Sequence, residues 1–119
     1  MVTENLKISL DGKEIIVRDI IKANQFMKIK GLMFSIRENA FPILFETKNP
    51  LSIHSFFVFY EFLAVWLDNE NKVLDYKIVK PFSIREIAEK DFSKILEIPL
   101  NRRYYDVVNF IVGERFKNK

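Results

Sequence analysis

The chain contains no cysteine. That single absence excludes disulfide bridges, thiolate metal sites and a cysteine nucleophile, and it fits a reducing compartment. Glycine is nearly as scarce, with Gly12, Gly31 and Gly113 standing far apart. Neither a dinucleotide fingerprint nor a phosphate-cradling loop can be assembled from glycines so spaced. His54 is the sole histidine, and no neighbouring motif supplies the nucleophile and orienting acid of a triad. Long hydrophobic runs are missing too. The most apolar stretch, residues 56–67, is interrupted by Glu61 and falls short of the about 20 residues that a membrane helix needs. The opening MVTENLK carries an acid and alternates, whereas a secretory signal needs a basic start and a continuous apolar stretch. A cytoplasmic protein with no membrane partner is therefore expected.

What the chain does have is apolar bulk. Hydrophobic residues make up 49% of its 119 positions, and twelve are Phe. This is ample for one packed core and argues against disorder, so a single domain over residues 1–119 is expected. The formal net charge is +3, far from the dense basic surface of a dedicated nucleic-acid binder.

Period-two patterning dominates. Leu6, Ile8 and Leu10 alternate with Lys7, Ser9 and Asp11, the mark of a half-buried strand. Asp11-Gly12 suits a tight hairpin, because both central residues must take positive φ, and β-branched residues 14–20 read as the return strand. The spacing over 21–30 changes and predicts a short helix, with Asn24 as its cap and Gly31 as its stop. Residues 33–36 and 42–47 read as short extended segments. Residues 56–60 and 62–67 lack any polar stripe, as strands buried on both faces do. The polar loop 68–72 then leads into 73–80, where Leu74, Tyr76 and Ile78 alternate with charged residues, so a second hairpin is expected. Ser83 with Glu86 suggests another capped short helix. Residues 95–98 read as a strand closed by Pro99, and Tyr104, Val107, Val108 and Ile111 recur at helical intervals. The fold class is mainly β: a compact antiparallel sandwich or barrel-like domain with two or three short helices.

Few residues invite chemistry. The loop at Asp68 is not a calcium loop, because Lys72 and Val73 stand where an oxygen ligand and a sharp-turning glycine are needed. Glu61 breaks the most apolar stretch. It either reaches water at a bend or sits buried with a raised pKa, as acid–base groups do. Arg102 and Arg103 beside Tyr104 and Tyr105 mix cations with aromatics, a pattern that contacts polyanions but also makes an ordinary solvated helix start. Lys28 and Lys30 beside Gly31 offer an anion site of the same kind.

The order of motifs resembles that of domain-of-unknown-function family 192. Gly31-Leu32-Met33-Phe34 is similar to the family's GLMF signature, and Pro42-Ile43-Leu44-Phe45 stands where it commonly has GMLFVF. Residues 53–68, IHSFFVFYEFLAVWLD, resemble its central FWMKNTLIPLDIIFID block, with Asp68 at the closing aspartate. Lys80-Pro81, Ile95-Leu96-Glu97-Ile98-Pro99 and Val112-Gly113-Glu114 resemble its later proline, VLE strand and Val-Gly-Asp turn. The likeness spans about residues 24–117. His54-Ser55-Phe56-Phe57-Val58 in place of WMKNT resembles an archaeal variant, and Glu61-Phe62-Leu63 replaces the usual Pro-x-Asp. The resemblance implies a compact, mostly antiparallel β-domain and no established reaction.

The expected function is a non-enzymatic domain for a small ligand or a protein partner, with no cofactor and no metal. Its binding face would lie where the motifs converge, at Lys28, Gly31, His54 and Glu97. One alternative is a hydrolase-like or metal-assisted enzyme pairing His54 with Glu61 or Glu97. Another is weak polyanion binding through Arg102 and Arg103, nucleic acid being the least favoured partner. An exposed Phe patch would support a homodimer.

Overall fold

The structure, a computed structural model, describes residues 3–22, 40–46, 61–80 and 92–113. Among them are six strands and one short helix. Strands β1 (Glu4–Leu10) and β2 (Lys13–Lys22) form the first hairpin, followed by the three-residue β3 (Ile43–Phe45). Strands β4 (Phe62–Leu67) and β5 (Val73–Val79) form the second hairpin, and β6 (Lys94–Pro99) follows. A 3-10 turn at Arg102–Tyr104 leads into α1 (Tyr105–Val112).

The strands make one sheet in the order β1-β2-β3-β6-β4-β5. It is mixed rather than wholly antiparallel, because β2 and β3 run parallel while every other pair is antiparallel. The sheet curls into a half-barrel. Ser9 on β1 bridges to Lys72 just before β5, and the Ser9 amide donates to the Asn71 carbonyl at 3.1 Å. Such curling follows from strand twist and shields part of the two exposed edges.

Local chemistry explains both hairpins. Asp11 and Gly12 take φ of 53° and 80°, the paired left-handed conformation of a two-residue hairpin turn. In the second hairpin Asp68 closes the loop. Its Oδ1 accepts from the Glu70 amide at 2.8 Å and from the Lys72 amide at 3.0 Å. Those backbone donors, that of Lys72 foremost, hold the Asp68 carboxyl below the usual carboxylate range.

Side chains on the inside of the curl form the larger core. Ile8, Val17, Ile20, Leu63, Val65, Leu67, Leu96 and Ile98 meet Tyr104, Val107, Val108 and Ile111, which close the curl from the helix side. The opposite face of the sheet is also buried, through Ile21, Ile43, Phe45, Phe62, Ala64, Trp66 and Ile95. Strand β4 is accordingly buried at all six positions, as its unbroken apolar sequence requires.

Strand β2 runs beyond the expected return strand, through Ile21 and Lys22. Lys22 is held there by Glu46 at 3.1 Å and Glu4 at 3.9 Å, and the hydrogen bond to Glu46 raises its pKa. Pro99, opposite Phe62, is the last residue of β6 and closes the strand as expected. One expectation needs correction: Leu74 does not share a face with Tyr76 and Ile78, which stand opposite Val65 and Leu63. The β4–β5 register shifts at Trp66/Leu67, so Leu74 packs with the outer cluster, Ile78 with the inner one, and Tyr76 is 41% exposed. A one-residue bulge reverses the facing of everything beyond it. The helices expected near Asn24 and Ser83 lie outside the described residues.

Candidate functional site

The strand β2 alternation breaks at Arg18-Asp19. Leu6 pairs with Val17 and Glu4 with Ile20, so Asn5 alone faces both Arg18 and Asp19. This is a β-bulge. Asp19 adopts φ 57°, an uncommon conformation for a residue with a side chain and one that aspartate tolerates better than most. Its amide, displaced from the ladder, donates to Asn5 Oδ1 at 3.2 Å, and Thr3 Oγ1 donates to Asp19 Oδ1 at 3.4 Å. The bulge turns Arg18 and Asp19 to solvent side by side while Val17 and Ile20 stay in the core.

The second half of the site begins where β6 ends. Asn101 is buried and caps the 3-10 turn, its Oδ1 accepting from the Arg103 amide at 3.1 Å. Its Nδ2 donates to the Ala40 carbonyl at 3.3 Å, anchoring the turn to the chain entering β3. The turn leaves Arg102 and Arg103 exposed and Tyr104 buried. The Arg103 guanidinium carbon stands 5.6 Å from the centroid of the Phe41 ring, a cation–π approach.

The two halves meet. Arg18 Nη2 donates to the Arg103 carbonyl at 3.1 Å, and a groove of about 430 Å³ opens between them, lined by Arg18, Asp19, Arg102, Arg103, Tyr104 and Asp106. Burial pushes the Tyr104 phenol up to about 12, with Asp19 adding to the rise while Arg103 and Arg18 oppose it. Arg18 and Asp19 were not among the residues expected from sequence to form a site. Their trace is two consecutive polar residues inside an otherwise β-branched strand.

Of the sequence-expected site residues, Arg102 and Arg103 line this groove. Glu97 lies elsewhere, on the outer face of β6, between Ile43 of β3 and Ala64 of β4. It is 0% exposed, and neither carboxylate oxygen has a hydrogen-bond partner among the described residues. Burial alone raises its pKa well above the ordinary glutamate value. Glu61 is half-buried immediately before β4. Lys28, Gly31 and His54, and with them the expected convergence around Glu97, lie outside the described residues.

Among the described residues no group of three His, Asp or Glu side chains is placed to hold a metal, and no helix is long and apolar enough to cross a membrane. The large hydrophobic side chains exposed among them are Ile16 and Tyr76, neither of them a Phe. Comparison with family models, curated proteins and solved structures finds no match.

Proposed function

We propose that this protein is a non-enzymatic small-ligand-binding domain whose groove takes a compact oxyanion, a carboxylate or phosphate group, on its arginines. The observation that carries this reading is the meeting of Arg18 with Arg102 and Arg103 around one groove. Guanidinium groups are planar forks that match carboxylate and phosphate oxygens two at a time. Two separate parts of the chain supply them, and the Arg18–Arg103 hydrogen bond fixes their relative position.

Charge favours a small ligand over a polyanion. Three arginines share the groove with Asp19 and Asp106, leaving a net lining charge of 3 − 2 = +1. A backbone of repeating phosphates gains from many cations and no anions, so nucleic acid fits this surface less well than one anionic group held on the arginines, clear of Asp19 and Asp106. The sealed position of Glu97 weighs against a hydrolase working through it, since an acid–base group must come within hydrogen-bond reach of its substrate.

The test is ligand-induced thermal stabilisation, since a ligand that binds the folded state raises its apparent stability. Inorganic phosphate, citrate and a single-stranded oligonucleotide serve as probes, against the wild type and Arg103→Ala. A rise in Tm with phosphate or citrate, lost in Arg103→Ala, supports the reading. No rise with either probe, or a rise unchanged in the variant, sinks it. A rise with the oligonucleotide alone, falling steeply with salt, would move the assignment to polyanion binding.

A further inference from the structure

The groove leaves Glu97 unexplained. A buried carboxyl with no partner is costly in its charged form, and each such orphan in a folded protein calls for a physical reason. Glu97 occupies a sensitive place. Strand β6 lies between β3 and β4 in the middle of the sheet order. Within it, Glu97 pairs with Ile43, the first residue of β3. That three-residue strand is the joint between the β1–β2 hairpin and the β6-β4-β5 half of the sheet.

Among the described residues, the neighbours of Glu97 offer no compensating charge. On β6, Ile95 and Pro99 flank it on the same face. On β3 it meets Ile43, with Phe45 one step along that face. On β4 it meets Ala64, between Phe62 and Trp66. Among the described residues, the nearest charged positions on that face belong to β5, where Lys77 pairs with Ala64 and Asp75 with Trp66. Both are exposed and stand two strands away, about 10 Å at the usual strand spacing. On β2, Ile21 occupies the row, and Lys22 beyond it is engaged by Glu46 and Glu4.

We propose that Glu97 is a proton-dependent lock on the β3–β6 seam: the neutral acid packs in the closed sheet, and loss of its proton favours opening of that seam. The lock is independent of the anion groove. Its sign follows from linkage. The folded state holds the proton to higher pH than the unfolded chain, so the unfolded state binds fewer protons, and stability falls as pH rises above the ordinary glutamate pKa. The fall continues until the folded-state pKa is reached and then stops. Below the ordinary value the lock is fully closed.

The experiment is urea unfolding of wild type and Glu97→Gln over a pH series starting near pH 4, the ordinary glutamate value being about 4.3. Glutamine keeps the shape and cannot ionise. Relative to the variant, the wild-type unfolding constant should rise by up to about tenfold per pH unit above that value. Protection of the Ile43 and Glu97 amides, which face each other across the seam, against hydrogen exchange should fall over the same range in the wild type only. Parallel pH profiles for the two proteins would overturn the proposal. Should Glu97→Gln fail to fold, infrared spectra of the wild type decide it. A protonated-carboxyl stretch persisting at neutral pH supports the lock, and its absence refutes it.

Discussion

Arg18 donates its guanidinium to the carbonyl of Arg103 at 3.1 Å, joining residues 85 positions apart. The contact spends one guanidinium donor on a backbone oxygen and leaves the others of the fork for a ligand. Arg18→Ala removes an exposed side chain, so the stability change should stay within about 0.5 kcal/mol. Citrate or phosphate affinity should fall by about tenfold, on the scale of one charge-assisted hydrogen bond. Arg18→Lys should lose less, because charge survives while the fork does not. Titration calorimetry on the three proteins measures this, and unchanged affinity in Arg18→Ala would remove Arg18 from the site.

The first hairpin makes a second prediction. Gly12 turns at φ +80° with open space where a Cβ would point, so a substitution there meets conformational strain rather than a clash. Gly12→Ala should destabilise by about 1 kcal/mol. Asp11→Asn, which tolerates the left-handed φ of 53° at that position, should be close to neutral. Denaturant midpoints separate the two. Equal losses would mean that the Asp11 carboxylate, rather than the backbone geometry, sustains the turn.

This hairpin shows what was legible in the sequence. Alternation and turn chemistry are local, so Asp11-Gly12, the buried run of β4 and the helical spacing of Tyr104, Val107, Val108 and Ile111 could all be read directly. Pairing is not local. The parallel β2–β3 joint depends on residues more than twenty positions apart, and no periodicity encodes it. The bulge at Arg18-Asp19 exists only relative to Asn5 on the partner strand, so half of the groove was hidden while Arg102 and Arg103 were visible. Glu97 was noticed through a motif likeness. Its burial depends on both faces of the sheet being covered, which a lone glutamate in an apolar strand does not reveal.

Asn101 connects fold and groove. One side chain accepts from the Arg103 amide and donates to the Ala40 carbonyl, satisfying a turn donor and a buried acceptor together. Asn101→Ala loses both contacts and should cost about 1–3 kcal/mol. Asn101→Asp keeps the capping oxygen but turns an acceptor toward the Ala40 carbonyl, so it should also destabilise. Asn101→Ala should weaken citrate binding as well, because the arginine turn loses its anchor. A fully stable Asn101→Ala would show that the turn is held by α1 packing alone.

Tyr104 supplies the alkaline counterpart. Its side chain is 1% exposed, and burial lifts its phenol to about 12, whereas an unfolded tyrosine ionises near about 10. Between those values the folded state keeps a proton that the unfolded chain has lost, so stability must fall as pH rises through the window. The contribution is fully present below about pH 10. Tyr104→Phe removes the ionising group while keeping the ring in the core beside Val107 and Val108. Every other ionisable side chain is common to both proteins, so the difference between wild type and variant isolates the phenol. Spectrophotometric titration should show a late-ionising tyrosine in the wild type that is missing from Tyr104→Phe. The wild-type unfolding constant should climb relative to the variant's by up to about tenfold per pH unit across the window. If every tyrosine titrates near the ordinary value, or if the two proteins lose stability in parallel, then the Tyr104 hydroxyl reaches water through the groove and the phenol is not held neutral by burial.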